Sequence, residues 1–332
     1  MDLVEDLSRA AYQRVDEIQT LTWSMRMLSL NARIEAARAG DAGDGFGVVA
    51  DQMQEMTDKV TGMVDFLQRD VVERAASVTA AGRTMALESR GRRLRDLAHN
   101  LIEILDRNLY ERSCDVRWWA TDAAVVGCCA APATASEAAV RLGVILKAYT
   151  VYADLWIIGR NGKVLSHGRP EQYPGVQGLD VSRESWFRSA LGTSSGDEYA
   201  VHEISAFPAL GGAAAALYAT AVRAGGETTG EPIGVLAVLF DWGIQSRAVV
   251  RGLALDEGEQ ARTRAMIVDG VGKVLASSNG VGELSDRIVL PIEKGSRGFF
   301  DMGPWLVGYA LTPGYETYRG QGWYGVVVQP RG

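Results

Sequence analysis

Apolar positions divide the chain into two regimes. Leu3, Leu7, Ala11, Val15, Ile18, Leu21 and Met25 recur three or four residues apart, and Met53, Met56, Val60, Met63, Leu67 and Val71 repeat that spacing. Such spacing puts one apolar stripe on each of two helices, the pattern of a coiled-coil seam. Between the stripes lies AGDAGDGFG, whose glycines allow the chain to reverse. The expected element is a long antiparallel hairpin. An arm from residue 3 to 38 would extend ~54 Å at 1.5 Å per residue. One such hairpin buries little alone, and a second copy would complete a four-helix bundle, so a homodimer is expected.

The stripe weakens across TAAGRTMALESRGRR, where Gly82, Gly91 and a basic cluster predict a joint. A further helix is predicted beyond it, with Leu94, Leu97, Leu101, Leu105 and Leu109 on one face. From residue 150 onward the period shortens to that of strands. YADLWIIGRNGKVLSHG reads as strand, Asn-Gly turn, strand, and TRAMIVDGVGKVLASSN repeats the phrase. GKVL falls at 162–165 and again at 272–275, an offset of 110 residues. Each copy ends in an apolar strand, PIGVLAVLFDW in the first and GWYGVVVQP in the second. Matched surroundings predict two related modules in tandem, each an antiparallel sheet with helices on one side. The predicted class is α+β. Residues 1–90 form the hairpin, 91–250 a lead helix and first module, and 251–332 a second module.

Charge and composition narrow the function. A net charge of -7 argues against a nucleic-acid partner. No run approaches the ~18 apolar residues of a membrane span. The start, MDLVEDLSRA, is acidic and amphipathic, unlike a signal peptide. Three cysteines, two of them adjacent at Cys128 and Cys129, give no disulfide framework, and a reducing cytoplasm is expected. His99, His167 and His202 are too scattered for a metal site. No nucleophile–base motif or phosphate-cradling loop is found, so neither an enzyme nor a cofactor is expected.

LNARIEAARAGDAGDGFGVVADQM, from Leu30 to Met53, resembles the signalling tip of bacterial methyl-accepting chemotaxis receptors. Those carry Asn, a hydrophobic residue, Glu-Ala-Ala-Arg-Ala-Gly, an acidic residue, Gly-Phe and Val-Val-Ala at the same spacing. The resemblance covers residues 15–60. It implies a tip that packs with other receptor dimers and binds a histidine kinase and its coupling adaptor. By position, Glu35 and Arg38 fall in the polar contact network, and Asn31 matches directly. Trp23 falls at an apolar inter-dimer contact, and Met27, Leu30 and Val48 fall at adaptor-facing positions. Asp44 stands where the family has a basic residue, and no convincing methylation box is present.

Residues 95–330 resemble a double Cache sensor, a pair of PAS-like modules. The resemblance rests on the lead helix ending NLYERSCDVRWWA, then LWIIGRNGKVLSHG, DVSRESWFRSALG, GEPIGVLAVLFDW and the closing VGYALTPGYETYRGQGWYGVVVQP. It implies a small-molecule pocket in the first module, covered by LDVSRESWFRSA. There Arg183 would hold a carboxylate bidentately, Trp186 would form an apolar wall, Tyr199 would add a hydroxyl and Asp241 would take an amine. The other reading of these residues is Trp186 as core and Arg183 as a structural ion pair. In the resembled receptors the sensor precedes the tip, with membrane helices around it; here it follows the tip. Two functions remain open. One is a soluble chemoreceptor-like transducer in inverted domain order, sensing a carboxylate or amino acid. The other is a non-catalytic ligand-binding or scaffold protein whose hairpin only dimerises it or joins receptor arrays.

Overall fold

The computed structural model describes residues 2–331. The side chains of Leu3 and Leu7, both predicted stripe positions, lie outside the described residues. The chain divides into two compact units, Met1–Ser89 and Arg90–Gly332.

In the first unit, helix α1 (Asp2–Arg38) ends at Gly40, whose φ of +54° few other residues adopt, and one turn of 3-10 helix (Gly40–Gly43) leads into helix α2 (Asp44–Trp119). The reversal is tight. A Cβ on Gly43 would lie 2.2 Å from the Ala36 carbonyl oxygen. Asp44 in the first turn of α2 complements the helix dipole. The arms meet on small residues. Thr22, Ser29, Ala50, Thr57 and Val64 are buried, and the Ser29 hydroxyl donates to the Ala50 carbonyl across the hairpin at 2.7 Å. Ala11, Val15, Met53, Val60 and Val71 of the predicted stripes are half-buried, whereas Ile18, Leu21, Met25, Met56, Met63 and Leu67 stay exposed. Helices that approach closely select small side chains at the contact. Arg26–Asp58 at 3.3 Å and Arg33–Asp51 at 3.0 Å bridge the arms in solvent, where ion pairs contribute little.

Gly82 and Gly91, the residues of the predicted joint, do not break the helix. Helix α2 runs unbroken through Gly82 and Gly91 for 76 residues. A glycine inside a helix costs ~0.5–1 kcal/mol against alanine. The Ala, Arg, Met, Leu and Glu residues around these two are strong helix formers and outweigh that cost.

The second unit begins within α2 and continues through helices α3 (Ala123–Ala130) and α4 (Ala135–Ala148). The first sheet comprises β1 (Tyr152–Gly159), β2 (Val164–His167), β3 (Ala200–Phe207), β4 (Ala213–Arg223) and β5 (Pro232–Asp241), with helix α5 (Ser185–Leu191) in the link before β3. Helices α6 (Trp242–Arg251) and α7 (Glu257–Arg262) lead to the second sheet of β6 (Arg264–Val268), β7 (Val274–Ser277), β8 (Arg297–Met302), β9 (Trp305–Leu311) and β10 (Tyr324–Pro330). All pairings are antiparallel. The strand orders β2-β1-β5-β4-β3 and β7-β6-β10-β9-β8 are the same arrangement twice. The GKVL repeat sits at the equivalent hairpin in each. Gly162 and Gly272 take φ of +80° and +87°, and the ladder slips register at Ile157/Ile158 and at Ile267/Val268. The fold is therefore α+β, a long helix followed by two antiparallel sheets.

The C-terminal half of α2 packs against these sheets with the predicted leucine face; Leu94, Leu101, Leu105 and Leu109 are fully buried. The second sheet receives the helix on glycine. A Cβ on Gly308 would lie 2.3 Å from the Leu94 carbonyl carbon, and one on Gly325 would lie 2.2 Å from the Ala98 carbonyl oxygen. Buried carboxylates tie the helix down. Asp106 accepts from the Thr312 hydroxyl and from the Gly314 N–H at 2.8 Å, and Asp115 accepts from the Tyr152 hydroxyl. Burial pushes both carboxyls above the usual range. Burial also pushes the free Cys129 thiol up to about 12. Among the described residues no helix is long and apolar enough to cross a membrane.

Candidate functional site

Strand alternation sorts the first module into two faces. On β4, Ala215, Leu217 and Ala219 join Trp156, Ile158, Val235, Ala237 and Leu239 in one core. The link from β2 to β3 covers this face and adds Val176, Val181, Trp186 and Phe187 to it. Trp186 is 3% exposed and meets Phe187 edge-on at 6.3 Å. It is part of the core. Arg183 lies in the turn before α5 and is exposed. Its carbonyl accepts from Arg188 at 3.3 Å, and among the described residues its guanidinium forms no ion pair. The Asp180 carboxyl is held below its usual range chiefly by the Ser182 hydroxyl and N–H, with smaller contributions from Lys163 and Arg183.

Asp241 ends β5 two residues after Leu239, so it belongs to the face that carries Trp186. One carboxylate oxygen caps α6 by accepting from Ile244 N–H at 2.9 Å. Tyr173, from the link after β2, packs on the same core. Burial raises its hydroxyl first of all, and Arg169, Asp154 and Asp241 lie close enough to act on it. Strand β3 adds His202, Ser205 and Phe207, whose register partners are Leu217, Ala215 and Ala213. The Ser205 hydroxyl lies 3.4 Å from His202 Nε2, and His202 meets Phe207 edge-on. The sequence does not announce this group of residues. The available signal is the alternation of β3 against AAAALYATAV, which puts small alanines beneath larger polar neighbours.

Tyr199 is not part of that group. It stacks on Tyr218 at 5.6 Å, beside Ser113 of α2, on the opposite face of the sheet. It directly precedes Ala200, which pairs with Ala219 on the capped face, so strand parity turns Tyr199 the other way.

The end of the β1–β2 hairpin is fixed by Asp154, which is fully buried. It accepts from Trp156 Nε1 at 3.0 Å, Leu155 N–H at 2.8 Å and Gly168 N–H at 3.0 Å, with His167 Nδ1 at 2.8 Å. Nearby, His167 Nε2 and Arg169 Nε are buried without a protein partner. Buried polar atoms of this kind are uncommon.

On the hairpin, Trp23, Met27, Leu30, Asn31, Glu35, Arg38 and Val48 are all exposed, Trp23 by 66% and Val48 by 60%. Trp23, Met27, Leu30 and Ile34 follow a 4-3-4 spacing, one stripe along α1. Arg38 pairs with Glu35 at 3.4 Å in solvent. Folding of the hairpin uses none of these side chains in its seam.

Residues 1–91 match the methyl-accepting chemotaxis protein (MCP) signalling domain family. The chain is 46% identical over 59 residues to the methyl-accepting chemotaxis protein CtpM of Pseudomonas aeruginosa, covering 16% of this chain and 10% of that protein. It is 35% identical over 105 residues to PctB of the same organism, covering 28% and 16%. It thus spans a small fraction of the length of these relatives. The fold of the second unit has solved counterparts. The sensor domain of the V. cholerae histidine kinase DctB aligns with TM-score 0.52 at 12% identity, over 74% of this chain and 98% of that one. The ligand-binding domain of the P. aeruginosa amino acid chemoreceptor PctB, in complex with L-arginine, aligns with TM-score 0.51 at 16% identity, over 73% and 96%. The chain therefore joins an N-terminal segment that matches the methyl-accepting chemotaxis signalling domain family to a fold like that of solved chemoreceptor and histidine-kinase sensor domains.

Proposed function

We propose that the chain is a receptor-like signal transducer. Its sensor half binds a small organic molecule carrying a carboxylate, an amino acid being the simplest case. Its hairpin, as a homodimer, couples to the chemotaxis histidine kinase and coupling adaptor. The observation that carries this reading is the exposed stripe of Trp23, Met27 and Leu30, with Asn31, Glu35, Arg38 and Val48, inside the segment that matches the signalling domain. Apolar side chains left in water on such a scale mark an interaction surface. The exposed Met56, Met63, Phe66 and Leu67 on α2 support a second copy of the hairpin as one occupant.

For the ligand, Asp241 is proposed to take the amine, Arg183 the carboxylate and Trp186 the apolar body. Tyr173 takes the place expected of Tyr199. A desolvated Arg–carboxylate bond contributes ~1.5–3 kcal/mol, about ten- to a hundredfold in affinity. The test is reconstitution with a chemotaxis kinase and adaptor, reading kinase autophosphorylation with and without amino acids. Glu35→Lys is expected to weaken adaptor pull-down without changing the circular-dichroism spectrum, and Arg183→Ala to weaken amino-acid binding by that factor. A wild-type protein that captures neither kinase nor adaptor refutes the transducer reading. One that enters receptor arrays but never alters kinase activity is the scaffold instead.

A further inference from the structure

The repeat offset of 110 residues carries Trp156, Ile158 and Val164 of the first module onto Met266, Val268 and Val274 of the second. Both sets lie in the cores of their modules, on equivalent faces. The two faces are finished differently. In the first, the link from β2 to β3 lays Val176, Val181, Trp186, Phe187 and Ala190 over the sheet. In the second, the link from β7 to β8 buries only Leu290. What remains is a cleft of about 1250 Å³. Its floor includes Met266, Val274 and Val328, and Met302, Trp305 and Val289 stand at its rim, the last 86% exposed.

The charge around this apolar floor is one-sided. Arg251, Arg262, Arg264 and Arg287 line the cleft, against Asp286 as the one acid among its lining residues. Three of these arginines donate to neutral oxygens. Arg264 donates to the Ser277 hydroxyl at 3.0 Å and the Val281 carbonyl at 2.6 Å, Arg251 to the Ser278 carbonyl and Arg287 to the Val271 carbonyl. Among the described residues no carboxylate pairs with any of the four. In a chain of net charge -7 that is a local reversal of sign.

We infer that this cleft is a second ligand site, taking an organic carboxylate with an apolar body. The floor and Trp305 would cover the body, and the arginines would hold the head by charge-assisted bonds. Either feature alone is ordinary; an uncapped sheet face ringed by unneutralised guanidinium groups matches an amphiphilic anion. The site is also joined to α2. Helix α7 gives Gln260, Ala261 and Arg262 to the cleft, while its Glu259 makes a bidentate pair with Arg93 of α2 at 2.7 and 3.0 Å. Pro330, at the cleft edge, accepts from Arg90 at 2.7 Å. An occupant can therefore act on the helix through both contacts.

The test is calorimetric titration of the full chain with octanoate and 3-phenylpropionate, with 3-phenylpropanamide and acetate as controls. The carboxylates should bind, and the neutral amide and the bodiless anion should bind at least tenfold more weakly. The double variant Arg262→Gln/Arg287→Gln changes two exposed side chains and should cost at least tenfold. Arg183→Ala removes the carboxylate anchor proposed for the first module and should leave the affinity of the cleft unchanged. No binding by either carboxylate, equal binding by the amide, or loss on Arg183→Ala in place of the arginine variant would each overturn the proposal. So would self-association abolished by Val289→Asp without carboxylate binding, which would assign the face to a second copy.

Discussion

Replacing Gly325 with alanine tests how α2 is seated on the second module. The added Cβ would stand 2.2 Å from the Ala98 carbonyl oxygen, 3.1 Å from its carbon and 3.2 Å from Ile102 Cβ. An ordinary carbon–oxygen contact is about 3.3 Å or more. The first obstacle is helix backbone, so no rotamer change relieves it, and the helix must retreat by about 1 Å. A radial gap of that size forfeits about a quarter to a half of each dispersion contact. The contacts affected include the fully buried Ala98, Leu101 and Ile102. Overpacking of this kind costs ~1–3 kcal/mol. For a unit of this size, 2 kcal/mol lowers the melting temperature by ~4–8 °C. Gly308, on the neighbouring strand, meets the same helix one turn away, so Gly308→Ala/Gly325→Ala should cost less than the sum of the two single changes, because one displacement relieves both. Gly127→Ala is the internal control. It lies inside α3 with nothing within 4 Å of the new methyl group, and should raise stability by ~0.5–1 kcal/mol. Calorimetric melting of the full chain separates these outcomes. A Gly325→Ala protein that melts with the wild type, or a fully additive double variant, refutes the backbone-to-backbone seating.

Other measurements bear on the remaining elements. Met56→Lys/Met63→Lys changes side chains outside the hairpin seam and should convert a sedimenting dimer to monomer while helicity is retained; an unchanged dimer would place the interface in the sensor half. Asp106 should give stability a pH dependence. Burial raises its folded-state pKa above the unfolded value, so its carboxyl is best tolerated at low pH, and stability falls as pH rises through the folded pKa. Asp106→Asn keeps an acceptor for Thr312 and Gly314 without the charge, so its urea midpoint should gain on the wild type between about pH 4 and pH 7. A constant difference across that range would show that Asp106 does not titrate there.

The repeat was legible because a tandem copy constrains itself. GKVL forces the same left-handed glycine and the same hairpin twice, and the flanking apolar strands then have one way to pair. The hairpin was legible because two stripes around a glycine run admit little else. The seam within it was not. Thr22, Ser29 and Thr57 are polar residues that a hydrophobic count passes over, yet each is buried with its hydroxyl bonded to a carbonyl. The large residues that did attract attention, Met56 and Met63 among them, lie beside the seam and remain on the surface. The first module's Tyr199 failed for a related reason. One residue of strand parity decides which side of a sheet a ring occupies, and a sequence reading that is off by one moves it to the wrong compartment.

Glycine shows most directly where such reading stops. Gly40 and Gly325 are the same residue with different causes, and Gly82 has no evident packing cause at all. Gly40 supplies a left-handed turn, which neighbouring sequence can announce. Gly82 sits in a helix with open space around it and interrupts nothing. Gly325 makes room for a helix carbonyl that lies more than two hundred positions earlier in the chain. Whether a glycine breaks a helix, is tolerated in it or receives another one depends on the partner across the contact. The open cleft of the second module has the same origin. What it lacks is a cap, and the meaning of the shorter link between β7 and β8 emerges only when the first module is laid beside it. Internal repetition thus gives one chain its own reference: where the copies agree, the shared residues build the fold, and where they differ, as at the covered and uncovered sheet faces, the difference points to specialised function.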